Sequence, residues 1–261
     1  VEPDKQPKKY TSVNGHLTLT LPENPMRYTA CPSVDPSDGV WAATGINEVW
    51  SPVCDLAREP RYGRSEETYG EDDYLASRFA EQVVKGITDG GKGHVISELK
   101  HFTAYGNPTA GLNAGQSQMG RHGTFAYMSP VFGAAIKAGA VDVMNSYNSI
   151  DDVPVAADRT ILTDLLRGQY GLPGFVRSDM TALAMLQTWH HVVKNPKEVL
   201  RMTVKAGVDV QFADFTHEDY RRLYKELLSE GKLTMDDLVA TQQKYVKGRT
   251  ERERMIDHKV T

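Results

Sequence analysis

Residues 141–179 read VDVMNSYNSIDDVPVAADRTILTDLLRGQYGLPGFVRSD. The stretch opens on a short apolar run, 141–147, that ends in polar side chains, the pattern of a buried strand. Asp158 or Thr160 then stands where a helix N-cap belongs, because a short oxygen-bearing side chain can accept from the free N–H groups of a first turn. Ile161, Leu162, Leu165 and Leu166 come next, at spacings that share one helix face. A second apolar run, 174–179, is stopped by an acid. Strand, helix, strand at this rhythm predicts parallel strands joined by a right-handed crossover.

The same texture extends in both directions. EVWSPVCD (48–55) and HVISELKH (94–101) are short apolar runs, and 73–87 carries Leu75, Phe79 and Val83 at helical spacing with Gly86 near its end. A helix is expected over 125–137 after Pro130, another over 196–206 closed by Gly207, then a last strand over 208–212. Amphipathic helices are expected over 217–228 and 235–247. Polar or reactive side chains recur where these strands end: Asp55, then Lys100 and His101, then Met144 to Tyr147, then Asp179, then Asp209 to Phe212. Parallel α/β sheets bind ligands at that edge. The expected fold class is α/β, a (β/α)-barrel of the TIM type, incomplete or distorted in its first third. Residues 1–44 form an irregular segment in place of the first barrel strands, 45–247 the barrel, and 248–261 a charged tail. Within the first segment, 1–9 is expected to be loose, and Leu17, Leu19 and Leu21 alternate as in a strand. Pro22, Pro25, Pro32 and Pro36 then prevent any long element before residue 40.

Bulk properties narrow the function classes. The 261 residues carry a formal net charge of -4 with 25% charged residues, so no basic surface for nucleic acid is expected. No apolar run approaches the ~20 residues of a membrane span. Residues 1–10 are polar and lack the apolar centre of a secretory signal, and the first residue is not Met, so the chain is expected to be processed or to begin inside a longer protein. The compartment is left open. Cys31 and Cys54 leave a single bridge or two buried thiols, the latter being the expectation. His190 and His191 are adjacent and read as helix-end residues. With no metal-ligand spacing and no Gly-rich phosphate loop after a strand, neither metal nor cofactor is expected.

Four places could do chemistry. Asp179 ends a buried run, where an acid can attack or hold charge, although a helix N-cap is the plainer role. Lys100 and His101 could donate hydrogen bonds to several hydroxyls of one sugar ring. The polar segment REPRYGRSEETYGEDD (58–73) is too long for an idle connection, and Arg64 comes after Gly63, whose missing side chain leaves room for the guanidinium. Met144, Asn145, Ser146, Tyr147 and Asn148 cluster where a strand ends, and amides there would be costly to bury unpaired, which favours a pocket.

Taken together, SPVCDLAREPRYGRSEETYGEDDYL (51–75), ELKHFTAYG (98–106), VMNSYNSIDDVPVAADRTILTDLLRGQYGLPGFVRSDM (143–180) and KAGVDVQF (205–212) resemble glycoside hydrolase family 3, in register over about residues 45–247. The resemblance implies a retaining β-glycosidase acting on a terminal β-D-glucoside or β-D-xyloside. It matches Asp179 to the nucleophile, Arg64, Lys100, His101 and Tyr147 to residues holding the −1 sugar, and Met144 to the pocket wall. Retaining hydrolysis needs a second carboxyl about 5–5.5 Å away.

The sequence departs from the family in three places. The family's earlier barrel strands, with a pocket aspartate among them, have no recognisable counterpart before SPVCD. The family's acid/base usually comes from a following α/β domain, and the loop 103–121 holds no Asp for the Asp/His pair of the one-domain hexosaminidases. The acidic stretch usual before the helix at Phe125 reads MGRHG. Glu66, Glu67 and Glu71 are conceivable stand-ins for the acid in a loop more readily explained as structural. The expectation is therefore a hydrolase completed by a second chain or missing domain. The alternative is a non-catalytic sugar-binding protein on a truncated barrel.

Overall fold

A computed structural model of the chain describes residues 48–91, 95–241 and 243, together with the backbone of 10–13 and 16–19. The latter form an antiparallel hairpin, β1 (Tyr10–Val13) with β2 (His16–Leu19), so the alternation around Leu17 is indeed a strand. The expected loose residues 1–9, Cys31, and the charged tail lie outside the described residues.

The centre is a parallel sheet in which spatial order follows chain order. β3 (Glu48–Val49), β4 (Ile96–Phe102), β5 (Asp142–Asn145) and β8 (Val176–Arg177) lie side by side, with β6 (Ser149–Ile150) and β7 (Val153–Pro154) forming a small separate hairpin. The pairing of β3 with β4 is prolonged by Val53 opposite Lys100, and β8 is extended sideways by a parallel bridge from Arg177 to Val210. The expected last strand over 208–212 is thus a single bridge rather than a strand. It is held by Ser178 N–H donating to Val210 O (2.8 Å) and Val210 N–H to Val176 O (3.1 Å). Helices fill the crossovers: α1 (Asp73–Gly90), α2 (Pro130–Lys137), α3 (Thr160–Gln169, of the wide π type) and α4 (Pro196–Ala206), with α5 (His217–Ser229) after them. This is the winding of a TIM-type barrel. Among the described residues no strand joins the outer edges of β3 and the 208–212 segment. The sheet nevertheless curls, since the Trp50 and Phe212 rings from those two edges meet edge-to-face at 5.2 Å.

Local signals explain most element ends. Asp158 is the cap of α3, its Oδ1 accepting from Thr160 N–H (2.8 Å) and Ile161 N–H (3.3 Å), and all four expected apolar residues are buried. Asn195 caps α4, Pro196 occupies its first turn, and Gly207 closes it at φ 116°. The helix expected over 125–137 is broken at Ser129. Pro130, without an N–H, starts α2 afresh after a π turn over 124–128. In α1 the buried face is Ala76, Ala80, Val83, Val84 and Ile87, whereas Leu75 is 49% exposed and Phe79 stacks on Tyr69 at 5.3 Å. The helix continues four residues beyond Gly86, to Gly90.

Two ionic clusters sit among the strands. Arg177 on β8 reaches Glu98 on β4 (2.8 Å) and Glu48 on β3, and its guanidinium lies 5.9 Å from the Trp50 ring centre. Burial, and then the hydrogen bond with Glu48, pushes the Glu98 carboxyl well above its usual range. Glu48 is lowered against its burial by its hydrogen bonds to Glu98 and Arg177 and by the Arg177 charge. Arg167 of α3 pairs with Asp209 and donates to Gly174 O at 2.7 Å, tying that helix to the strand ends.

Backbone crosses backbone tightly at Gly106. Its carbonyl accepts from Arg58 N–H (3.0 Å) and Glu59 N–H (3.1 Å), and a Cβ there would lie 2.1 Å from Leu56 O. Gly106→Ala must push the two segments apart and is expected to cost about 1–3 kcal/mol, read as a lower urea midpoint. An unchanged midpoint would show that the crossing yields.

Candidate active site

The ends of β3, β4, β5 and β8 bring Arg64, His101, Tyr147 and Asp179 of the expected side chains to one edge. His101 is the hub. Its Nδ1 lies 2.7 Å from Asp55 Oδ2, and its backbone N–H donates to Asp55 Oδ1 at 3.2 Å. Its Nε2 stands 3.5 Å from Asp179 Oδ2 and 3.4 Å from Arg64 Nη2. The His101 ring packs edge-on against Tyr105 (5.0 Å), which meets Tyr62 (5.3 Å) and Tyr147 (5.8 Å) and lies under the Arg64 guanidinium at 5.6 Å. The strand expected to stop at His101 runs on to Phe102, and the Lys100–His101 and Phe102–Thr103 peptides are cis.

Asp179 is 9% exposed. Its Oδ1 accepts from Met180 N–H at 2.7 Å, and its buried Oδ2 accepts no hydrogen bond among the described residues. It is not a helix cap in the usual sense, since the turn after it is held instead by Asp214, whose Oδ1 accepts from Leu183 N–H (2.7 Å) and Ala184 N–H (3.0 Å). Asp214 Oδ2 also accepts from Ser178 Oγ at 2.8 Å, fixing the backbone on both sides of Asp179. Tyr147 donates its hydroxyl to Met180 O at 2.9 Å. Burial, then the neighbouring Asp179 carboxylate, raises the Tyr147 phenol above its ordinary range, so it stays a donor. Burial likewise pushes Tyr105 up to about 12.

The polar segment 58–73 is salt-bridged internally, and it also reaches the cluster. Arg61 pairs with Glu59 (2.7 Å), and Arg64 holds Glu67 through two bonds of 2.6 and 2.8 Å. Glu67 is lowered despite its burial by its hydrogen bonds to Arg64 and that guanidinium's charge, while no side-chain hydrogen bond or ion pair ties Lys100 to the group among the described residues. Glu67 is therefore ionised and held, unsuited to donating a proton. Met144 is buried in β5, in register with Arg177, and no hydrogen bond or ring contact ties it to the cluster among the described residues.

Other expectations change. Asn145 and Asn148, read as pocket amides, are buried and donate to the Ser146, Thr103 and Ser149 carbonyls, so they brace backbone. His190, at a helix end as expected, lies 2.8 Å from the Tyr147 carbonyl and so supports the loop carrying that phenol. Cys54 is a buried free thiol. Asp55 and Tyr105 belong to the cluster. Asp55 was visible only as a polar strand end, and nothing local in the sequence marks Tyr105. Among the described residues no group of three or more His, Cys, Asp and Glu side chains is arranged to hold a metal, and no helix is long and apolar enough to cross a membrane.

Residues 40–247 match the sequence model of the glycosyl hydrolase family 3 N-terminal domain. A periplasmic beta-glucosidase of Salmonella typhimurium is 35% identical over 200 residues, covering 76% of this chain and 26% of that protein. A beta-xylosidase of Formosa agariphila is 37% identical over 175 residues, covering 64% and 24%. The structure of a beta-glucosidase from Listeria innocua in complex with glucose superposes with a TM-score of 0.76 at 31% identity, over 83% of this chain and 31% of that one. The chain thus spans about a quarter of the length of these curated relatives.

Proposed function

The chain belongs to glycosyl hydrolase family 3, and we propose that it carries the nucleophile of a retaining β-glycosidase, with Asp179 attacking the anomeric carbon. The observation that carries this reading is the Asp179 carboxylate. It stands at the strand-end edge, its Oδ2 accepting no hydrogen bond within bonding geometry among the described residues, with His101 Nε2 3.5 Å away. A nucleophile needs such an uncommitted, oriented oxygen. Arg64, Lys100, His101 and Tyr147 are the donors and acceptors that hold the ring of the −1 sugar, their bonds tightening as positive charge develops at the transition state. Met144 backs the pocket wall. Terminal β-D-glucosides and β-D-xylosides are the proposed substrates, in line with the names of the relatives.

The second carboxyl is proposed to come from outside the described residues, on a further domain or second chain. The acids within the cluster are engaged, Asp55 with His101 and Glu67 with Arg64. Without an acid, the leaving group must depart unassisted. Dinitrophenyl β-glucoside and β-xyloside should therefore give one rapid equivalent of phenolate and then slow turnover, while alkyl glycosides are barely cleaved. Binding of glucose or xylose with no phenolate release would instead establish a sugar-binding protein.

A further inference from the structure

We propose that Asp55 is a positioning residue that fixes the protonation pattern of the His101 ring, placing the proton on Nδ1 and turning Nε2 toward Asp179 and the sugar. The inference deepens the glycosidase reading and rests on it for its consequence, though not for its geometry. Asp55 and His101 are each 2% exposed at their side chains, and Asp55 contacts His101 twice. The backbone N–H can only donate, so Oδ1 is committed as an acceptor at 3.2 Å. That commitment aims Oδ2 at Nδ1 across 2.7 Å, where a carboxylate oxygen can only accept, so the proton stays on Nδ1 as donor. Edge-on packing against Tyr105 at 5.0 Å keeps the ring from turning away.

In the neutral ring Nε2 then carries a lone pair. It can accept from Arg64 Nη2, 3.4 Å away, or from a sugar hydroxyl, and it leaves Asp179 Oδ2 unbonded. The opposite tautomer would donate from Nε2 into Asp179 Oδ2 and draw charge from the attacking oxygen. Asp55 thus keeps the nucleophile free, through His101, without touching it.

Asp55→Asn separates this from simple packing. With the amide oxygen held by the His101 N–H, the amide NH₂ must face Nδ1, which can accept only if it gives up its proton. Long-range ¹H–¹⁵N spectra in mildly alkaline buffer read the ring directly, with the His101 signals identified by their loss in His101→Gln. The wild-type chain should show a protonated Nδ1 and D55N a bare Nδ1 with protonated Nε2. Phenolate release by D55N should be slower by on the order of 10²-fold. A bare Nδ1 in the wild-type chain would overturn the proposal even if D55N failed to fold. So would an unchanged Nδ1 proton in D55N, or a reversed tautomer with undiminished release. A reversed tautomer in a chain whose wild-type form neither binds nor cleaves glycosides would overturn the functional reading and leave the Asp55 assignment standing.

Discussion

Asp179→Asn is expected to lower glycoside turnover by on the order of 10⁴- to 10⁶-fold, the range seen when a nucleophile is removed, while the chain stays folded. The substitution is isosteric. The amide oxygen still accepts from Met180 N–H, now 2.7 Å from Oδ1, and the new NH₂ faces His101 Nε2 across 3.5 Å. No buried charge is stranded, so the thermal midpoint should barely move. The amide is a poor nucleophile and brings no negative charge to the anomeric carbon, so the covalent step fails. Loss of turnover together with loss of folding would not isolate the chemistry, so both are measured on the same sample. Wild-type-like turnover would refute the assignment.

Arg167→Ala should produce the largest loss of stability, about 3–5 kcal/mol. The Asp209 side chain is fully buried, and its Oδ2 accepts from Val176 N–H at 2.9 Å while pairing with Arg167. Removing the guanidinium takes the Arg167 ion pair from a buried carboxylate between α3 and the strand ends, and also strips Gly174 O of its 2.7 Å donor. Arg167→Ala combined with Asp209→Asn should recover part of the loss, because the buried charge that Arg167 paired is then absent. Urea unfolding of the two variants decides it. A single variant as stable as wild type would show that water or another cation replaces the guanidinium.

Features fixed within a few residues were legible in the sequence. The Asp158 cap and the α4 span from Pro196 to Gly207 depend on caps, proline and glycine, which act locally. The helical face of α1 was not legible, because which stripe is buried depends on what packs against it. Ala76 and Ala80 go inside while Leu75 stays half out. The strand at 208–212 reads clearly as an apolar run, yet only Val210 pairs, with Arg177. The candidate site divides in the same way. Asp179, Lys100, His101 and Tyr147 stand at strand ends that a parallel architecture must gather on one edge. Asp55 and His101 are 46 residues apart, and neither local pattern announces that they meet. Asn145 and Asn148 misled because their backbone partners are unseen in one dimension.

Trapping the covalent intermediate tests the central claim most directly. A 2-deoxy-2-fluoro β-glycoside with an activated leaving group slows both chemical steps, the second below detection. After proteolysis, the account predicts one fluoroglycosyl mass increment, on the peptide holding Asp179. The same increment on any other acid, in a chain that releases the leaving group, would contradict it.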